Sequence, residues 1–250
     1  KRCRLVGIGG VSMRPLGLVL RRMGMEISGS DMNASVSTDE LIAKGIQVSI
    51  GHRAENIEGA DCLIRTAAAH NDNPEIAAAR ARGVPIFERA QAWGYIMRAY
   101  KNAICVSGTH GKTTTSSMLA SALDALGADP TFLIGGIVRA YGTNAHSGTG
   151  AHYVVEADES DKSFTYLSPK AVLVTNIEAD HLDHYKDLDE IYDKFHDFMG
   201  LVPEDGVIVA CGEEPHVVEI ARSEGRRMYT YGFNHGCDVR ITSYEPHGIG

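Results

Sequence analysis

The segment Gly108-Thr109-His110-Gly111-Lys112-Thr113-Thr114-Thr115 carries the residue types that bind phosphate. An apolar run, Ala103 to Val106, precedes it, and a helical pattern from Thr113 to Leu126 follows. Glycines let the backbone curl so that successive N–H groups face one point. The start of the helix adds the positive end of its dipole. Lys112 supplies a charge for the β- and γ-phosphates, and the Thr113 hydroxyl suits Mg²⁺. Lys112 is expected to face solvent or ligand. The usual P-loop spacing asks for glycine at position 106, where this chain has Val106, so the loop is a shortened variant.

Two further clusters follow apolar runs. Glu156-Ala157-Asp158-Glu159-Ser160-Asp161 comes after Tyr153 to Val155. Carboxylates at the C-terminal end of a parallel strand reach the ligand crevice. Alone, this cluster reads equally as a solvated acidic loop; beside a phosphate loop, metal binding is the better reading. Asn176 to His184 follows Ala171 to Thr175 and contains Glu178, Asp180, His181, Asp183 and His184. Among these His181 is the candidate ligand, and His184 is read as an ordinary loop histidine. Near the start, Gly7-Ile8-Gly9-Gly10-Val11-Ser12 resembles a dinucleotide fingerprint, with Ser12 at the third glycine position. Asp31, at the end of the next strand, is placed to accept from a ribose or base. A tight turn that binds nothing is the alternative.

Elements that alternate between strand and helix must position these groups. Strands are expected at Cys3–Ile8, Glu26–Gly29, Gln47–Ile50, Cys62–Thr66, Val84–Phe87, Ala103–Val106, Thr131–Ile134, Tyr153–Glu156, Ala171–Thr175, Val207–Ala210 and Met228–Tyr231. Helices are expected at Met13–Met23, from a capping box at Ser37 to Glu40 up to Gly45, from Asn73-Pro74 to Gly83, and at Arg89–Tyr100. Further helices are Thr113–Leu126, Leu188–Met199 and Pro215–Glu224. The alternation argues for parallel sheets in an α/β protein. Two glycine-rich strand-to-helix turns argue for two domains, a Rossmann-like one over 1–100 and a P-loop-type α/β one over 101–250. Asp238 to Tyr244 alternates like a final strand with no covering helix after it, so the second domain reads as incomplete.

The formal net charge of −8 speaks against nucleic acid or an anionic membrane as partner. No apolar stretch reaches the roughly 18 residues that span a bilayer. The five cysteines are scattered without a C-x-x-C pair, which fits reduced thiols in a cytoplasmic protein.

Taken together, Val6 to Gly10, Ser28 to Asp31, Asp72 to Glu75, Gly108 to Thr115, Glu156 to Asp161 and Thr175 to His181 resemble the Mur ligase family. Within it they are most similar to the members that join L-alanine to UDP-N-acetylmuramate in peptidoglycan precursor synthesis. The resemblance implies ATP and Mg²⁺ as cofactors and an acyl-phosphate route to the amide. It implies that Gly108, Thr109, His110, Gly111, Lys112, Thr113 and Thr114 hold ATP, and that Lys112, Glu156 and His181 are the catalytic set. Thr113, Glu156 and His181 would bind metal, and Gly9, Gly10, Ser12 and Asp31 would surround the UDP moiety. Lys194, on the helix after the histidine motif, receives no role. Family members carry a further domain for the amino acid, so this chain alone is expected not to form the amide. A murein tripeptide-recycling ligase is the near alternative, and a non-catalytic UDP-sugar-binding module the distant one. Glu159-Ser160-Asp161 and the Gly-Gly-Val turn favour the alanine-adding members. A nicotinamide oxidoreductase would leave the phosphate loop unexplained.

Overall fold

The computed structural model describes residues 1–160, 162–180 and 184–245. The chain divides into two compact units, Lys1–Ile96 and Met97–Gly250.

In the first unit, β1 (Arg2–Val6), β2 (Glu26–Asp31), β3 (Gln47–Ile50), β4 (Cys62–Arg65) and β5 (Ile86–Glu88) form one sheet in the order β3-β2-β1-β4-β5. Every pairing is parallel. The strand order reverses between β1 and β4, and in open parallel sheets ligands bind outside the strand ends at such a point. The unit also holds helices α1 (Met13–Arg22), α2 (Val36–Ala43), α3 (Pro74–Ala81) and α4 (Arg89–Met97), and a short 3-10 helix at Ala54–Ile57. α1 buries Met13, Leu16, Gly17 and Leu20, the three-and-four spacing of an inward face. Pro15 is tolerated because the first four helical N–H groups have no intrahelical acceptor. The core beneath α3 is Val6, Ile57, Leu63, Ala69, Ile76 and Ala79.

α2 starts earlier than its Ser37–Glu40 signal suggests. Ser35 is the cap: its hydroxyl accepts from Thr38 N, and the Thr38 hydroxyl accepts from Ser35 N. A threonine hydroxyl closes the box in place of Glu or Gln. α4 stops at Met97, three residues short of the expected Tyr100.

In the second unit, β6 (Asn102–Ser107), β7 (Thr131–Val138), β8 (Thr143–His146), β9 (His152–Glu156), β10 (Ala171–Val174), β11 (Val207–Cys211), β12 (Arg227–Gly232) and β13 (Val239–Arg240) form an eight-stranded sheet. Its order is β13-β12-β11-β10-β6-β9-β7-β8, so β6 is interior, flanked by β10 and β9. The helices are α5 (Lys112–Ala125), α6 (Leu188–Met199) and α7 (Pro215–Ser223). α5 lies over a core of Ala120, Phe132, Ile134, Val138 and Val154.

Two departures from expectation concern this sheet. β7 runs on through Gly135-Gly136 to Val138, and β8 pairs with it antiparallel across a register shift. The sheet is therefore mixed. The two glycines and the half-polar β8 sequence Thr-Asn-Ala-His mask the strand signal. The final strand covers Val239–Arg240 alone. Ahead of it, the Asp238 carboxylate accepts from Thr230 N and Oγ1 (2.8 and 2.9 Å), and beyond it Tyr244 is exposed.

Candidate functional site

β6 delivers the chain into the loop at Gly108, whose φ of +133° lies in the region that glycine favours. A Cβ there would run into Thr175 Oγ1, far inside van der Waals contact. The loop is tied to the end of β10. Thr109 N donates to Asn176 O (3.0 Å), His110 N to Asn176 Oδ1 (2.8 Å), and Thr175 Oγ1 donates to His110 O (2.7 Å). Glu178 N donates to Thr109 Oγ1 at 2.8 Å. The amides of Thr109 and His110 are thus engaged by the chain itself. Gly111 begins α5 in the left-handed region, and the helix has no side-chain cap. The amides at the start of α5, Lys112 to Thr114, are the ones left without intrahelical acceptors. Gly108→Ala is expected to destabilise the second unit by roughly 1–3 kcal/mol through backbone strain and displacement of Thr175. It should weaken nucleotide binding at the same time. A thermal melt with and without Mg-ADP reads both effects; an unchanged melt would show that the loop has slack.

Lys112, expected to face solvent or ligand, is mostly buried against its own loop. Its Nζ donates to Gly108 O (2.7 Å), Thr109 O (3.2 Å) and Glu159 Oε1 (2.8 Å). Glu159 is 3% exposed. Burial pushes the Glu159 carboxyl above its usual range, against the opposing hydrogen bond and charge of Lys112. Its main-chain carbonyl accepts from Tyr185 OH and from Lys162 N (3.1 Å). Sequence reasoning placed Glu159 in the acidic cluster but missed this contact, because nothing in spacing shows which carboxylate turns toward the lysine.

Thr113 Oγ1 donates to Glu156 Oε1 (2.8 Å), and Glu156 Oε2 accepts from Gly135 N (2.6 Å). A Cβ on Gly135 would stand 3.0 Å from Glu156 Oε1, and one on Gly136 2.7 Å from Thr113 Cγ2. The glycines of β7 thereby let Thr113 and Glu156 meet. A hydroxyl and a carboxylate are hard oxygen donors, and they fit Mg²⁺. No group of three or more His, Cys, Asp or Glu side chains disposed to hold a metal occurs among the described residues. His181 lies outside them. Lys194 pairs with Asp197 at 2.5 Å on the exposed side of α6.

The glycine turn of the first unit closes in a different way. Gly7 N and Ile8 N donate to Ser30 O, and Gly9 N donates to Asp31 Oδ2 (2.9 Å). Asp31 therefore holds the turn. A cleft of about 870 Å³ runs along the strand ends, lined by Gly7, Gly10, Asp31, His52, Thr66 and Asn73 among others. Gly9 and Ser12 are not among its lining residues. Ser12 Oγ instead accepts from Arg89 Nη1 at 2.8 Å. Beneath the cleft lies a buried charged cluster that sequence reasoning missed. Glu75, fully buried, accepts from Arg4 Nε (3.2 Å) and Asn56 Nδ2 (2.7 Å), and His52 Nδ1 lies 3.3 Å from its Oε1 and 3.0 Å from Ser30 Oγ. Burial raises the Glu75 carboxyl, but hydrogen bonds from Asn56 and Ser30 with the Arg4 charge more than reverse this and hold it below the usual range.

Two α/β units, one with a Rossmann-type strand order and one with a P-loop-type strand–loop–helix turn, define the class. Models of the "Mur ligase family, catalytic domain" and the "Mur ligase middle domain" match residues 2–101 and 106–248, and the chain belongs to the Mur ligase family. It is 46% identical to a UDP-N-acetylmuramate–L-alanine ligase of Nitrobacter hamburgensis over 98% of its own length and 52% of that relative's. The same-named ligase of Bradyrhizobium sp. (strain ORS 278) is 45% identical with the same coverage. The chain spans about half the length of the curated relatives it matches. Among solved structures, UDP-N-acetylmuramate–alanine ligase from Thermotoga maritima superposes with a TM-score of 0.77 at 32% identity, over 92% of this chain and 52% of that one. UDP-N-acetylmuramate:L-alanyl-γ-D-glutamyl-meso-diaminopimelate ligase from Neisseria meningitides gives 0.82 at 29%, over 92% and 78%. No helix among the described residues is long and apolar enough to cross a membrane.

Proposed function

We propose that this chain supplies the UDP-sugar-binding and ATP-binding parts of a UDP-N-acetylmuramate–L-alanine ligase. In this reading residues 1–100 take the UDP moiety in the cleft beside Gly10 and Asp31, and residues 101–250 take ATP at the Gly108–Thr114 loop. The observation that carries it is the Thr113–Glu156 pair at the start of α5, one residue on from Lys112, whose ammonium is held at the same loop, because a lysine, a helix N-terminus and a hydroxyl–carboxylate pair together suit a metal-bound phosphate. A free carboxylate is a poor acyl donor. Transfer of the γ-phosphoryl group to the lactyl carboxylate makes an acyl phosphate, and the alanine amine then displaces phosphate to form the amide. Lys112 and the open amides of α5 would offset the repulsion between carboxylate and triphosphate. Mg²⁺ held by Thr113 and Glu156 would neutralise phosphate charge.

The choice of alanine rests on the 45–46% identity to ligases named for it. The Neisseria superposition favours a second reading, ligation of a murein tripeptide. ADP release by the full-length protein with ATP, Mg²⁺ and UDP-N-acetylmuramate separates the two. Release that depends on L-alanine supports the first reading, and release that depends on the tripeptide alone replaces it.

A further inference from the structure

Glu159 has no part in the reaction as derived so far, yet among the described residues it makes the one charged contact of Lys112. An ammonium group has three N–H donors. Those of Lys112 point to two loop carbonyls and to Glu159 Oε1. A phosphate oxygen can take one of them only by displacing an acceptor. The carbonyls of Gly108 and Thr109 belong to a backbone fixed by Thr175 and Asn176. Glu159 is the acceptor on a rotatable side chain, and its own backbone is anchored by Tyr185 and Lys162.

We propose that Glu159 is a built-in competitor of phosphate: its carboxylate occupies the third donor of Lys112, and nucleotide gains Lys112 by displacing it. The proposal rests on the reading that the loop binds nucleotide phosphate. Two physical consequences follow. Nucleotide gains Lys112 only by giving up the Lys112–Glu159 contact, so affinity is held down. On the way out, Glu159 recaptures Lys112, so the carboxylate hastens departure of ADP. Glu159 is then a positioning residue that trades nucleotide affinity for release.

The test uses the full-length protein and a fluorescent ADP analogue with Mg²⁺. Glu159→Gln keeps the shape and removes the charge. It is expected to bind the analogue about tenfold more tightly, mainly through slower dissociation, as expected when a charge-assisted contact no longer has a competitor. Glu159→Asp withdraws the charge by one methylene and should be intermediate, which keeps the test available if the Gln variant does not fold. In a Lys112→Ala background the same substitutions should leave affinity unchanged, which a general loss of negative charge or a structural role would not produce. Unchanged or weaker binding by folded Glu159→Gln overturns the proposal, as does tightening that survives without Lys112. Absence of binding by the unsubstituted protein overturns the nucleotide reading itself.

Discussion

Lys112→Ala is expected to lower ATP-dependent turnover of the full-length protein by a factor of about 10²–10³, the scale of losing one pre-aligned donor to developing charge. The structure adds a second effect. Lys112 is a counter-ion of Glu159, whose side chain is 4% exposed, so the variant takes this cation away from a buried carboxylate. Breaking such a pair costs about 3–5 kcal/mol, and the partial exposure of Lys112 favours the lower end. The pH dependence identifies this cause. Burial holds the folded-state pKa of Glu159 above its ordinary value, and loss of Lys112 raises it further. A raised acid contributes stability that is fully present below its unfolded pKa and is lost as pH rises through the folded value. The deficit of Lys112→Ala should therefore shrink toward pH 5 and grow toward pH 8 in thermal melts. Adding Glu159→Gln should recover most of it. Near-normal turnover would remove Lys112 from the phosphate role, and a pH-independent deficit would remove the buried pair.

Arg4→Met should destabilise the first unit by about 3–5 kcal/mol, because it strips the cation from a fully buried carboxylate. Arg4 is 3% exposed and Glu75 0%, and methionine roughly preserves volume, so the loss reports charge rather than a cavity. The Glu75 carboxyl lies below its usual range, and a depressed acid contributes stability above its unfolded pKa that disappears as pH falls through the folded value. Wild-type protein should thus lose this contribution on acidification, whereas Arg4→Met should be the less acid-sensitive of the two. Arg4→Met with Glu75→Gln should be more stable than Arg4→Met alone. His52 and Asn73 connect the cluster to the cleft wall, so UDP-N-acetylmuramate affinity should fall with stability. Urea midpoints at pH 7 and pH 4.5 give the measurement. A change below about 1 kcal/mol would mean that Asn56, Ser30 and His52 compensate Glu75 without the arginine.

The elements most legible from residue pattern are those with one job. The Ala103–Val106 run, the glycine turn and the α5 pattern announce a strand, a loop and a helix because each local preference agrees with the fold. α6 was legible to the residue, from its inward Ile191, Phe195 and Phe198 and its cap Asp187. β8 was not, since its residues favour no state strongly and an antiparallel edge pairing makes a strand of them. The contents of the phosphate loop were legible, but its wiring was not. Asn176 and Glu159 lie 66 and 47 residues from the groups they hold, and such contacts follow from strand order rather than spacing. The Arg4–Glu75 cluster was hidden for the same reason: Glu75 reads as a first-turn helix acid, and only the adjacency of β1 and β4 brings Arg4 to it.

The side chain missing at Gly108 and the hydroxyl present at Thr175 claim the same small volume, and Asn176 claims the next two amides. Positions 108 to 110 and 175 to 176 therefore cannot drift separately as the gene diverges. A change on one side needs an answering change on the other. Transplanting the Gly108–Thr115 octapeptide into a foreign strand–helix junction would carry over the letters without the brace. A graft that is to keep its shape has to bring the end of β10 with it.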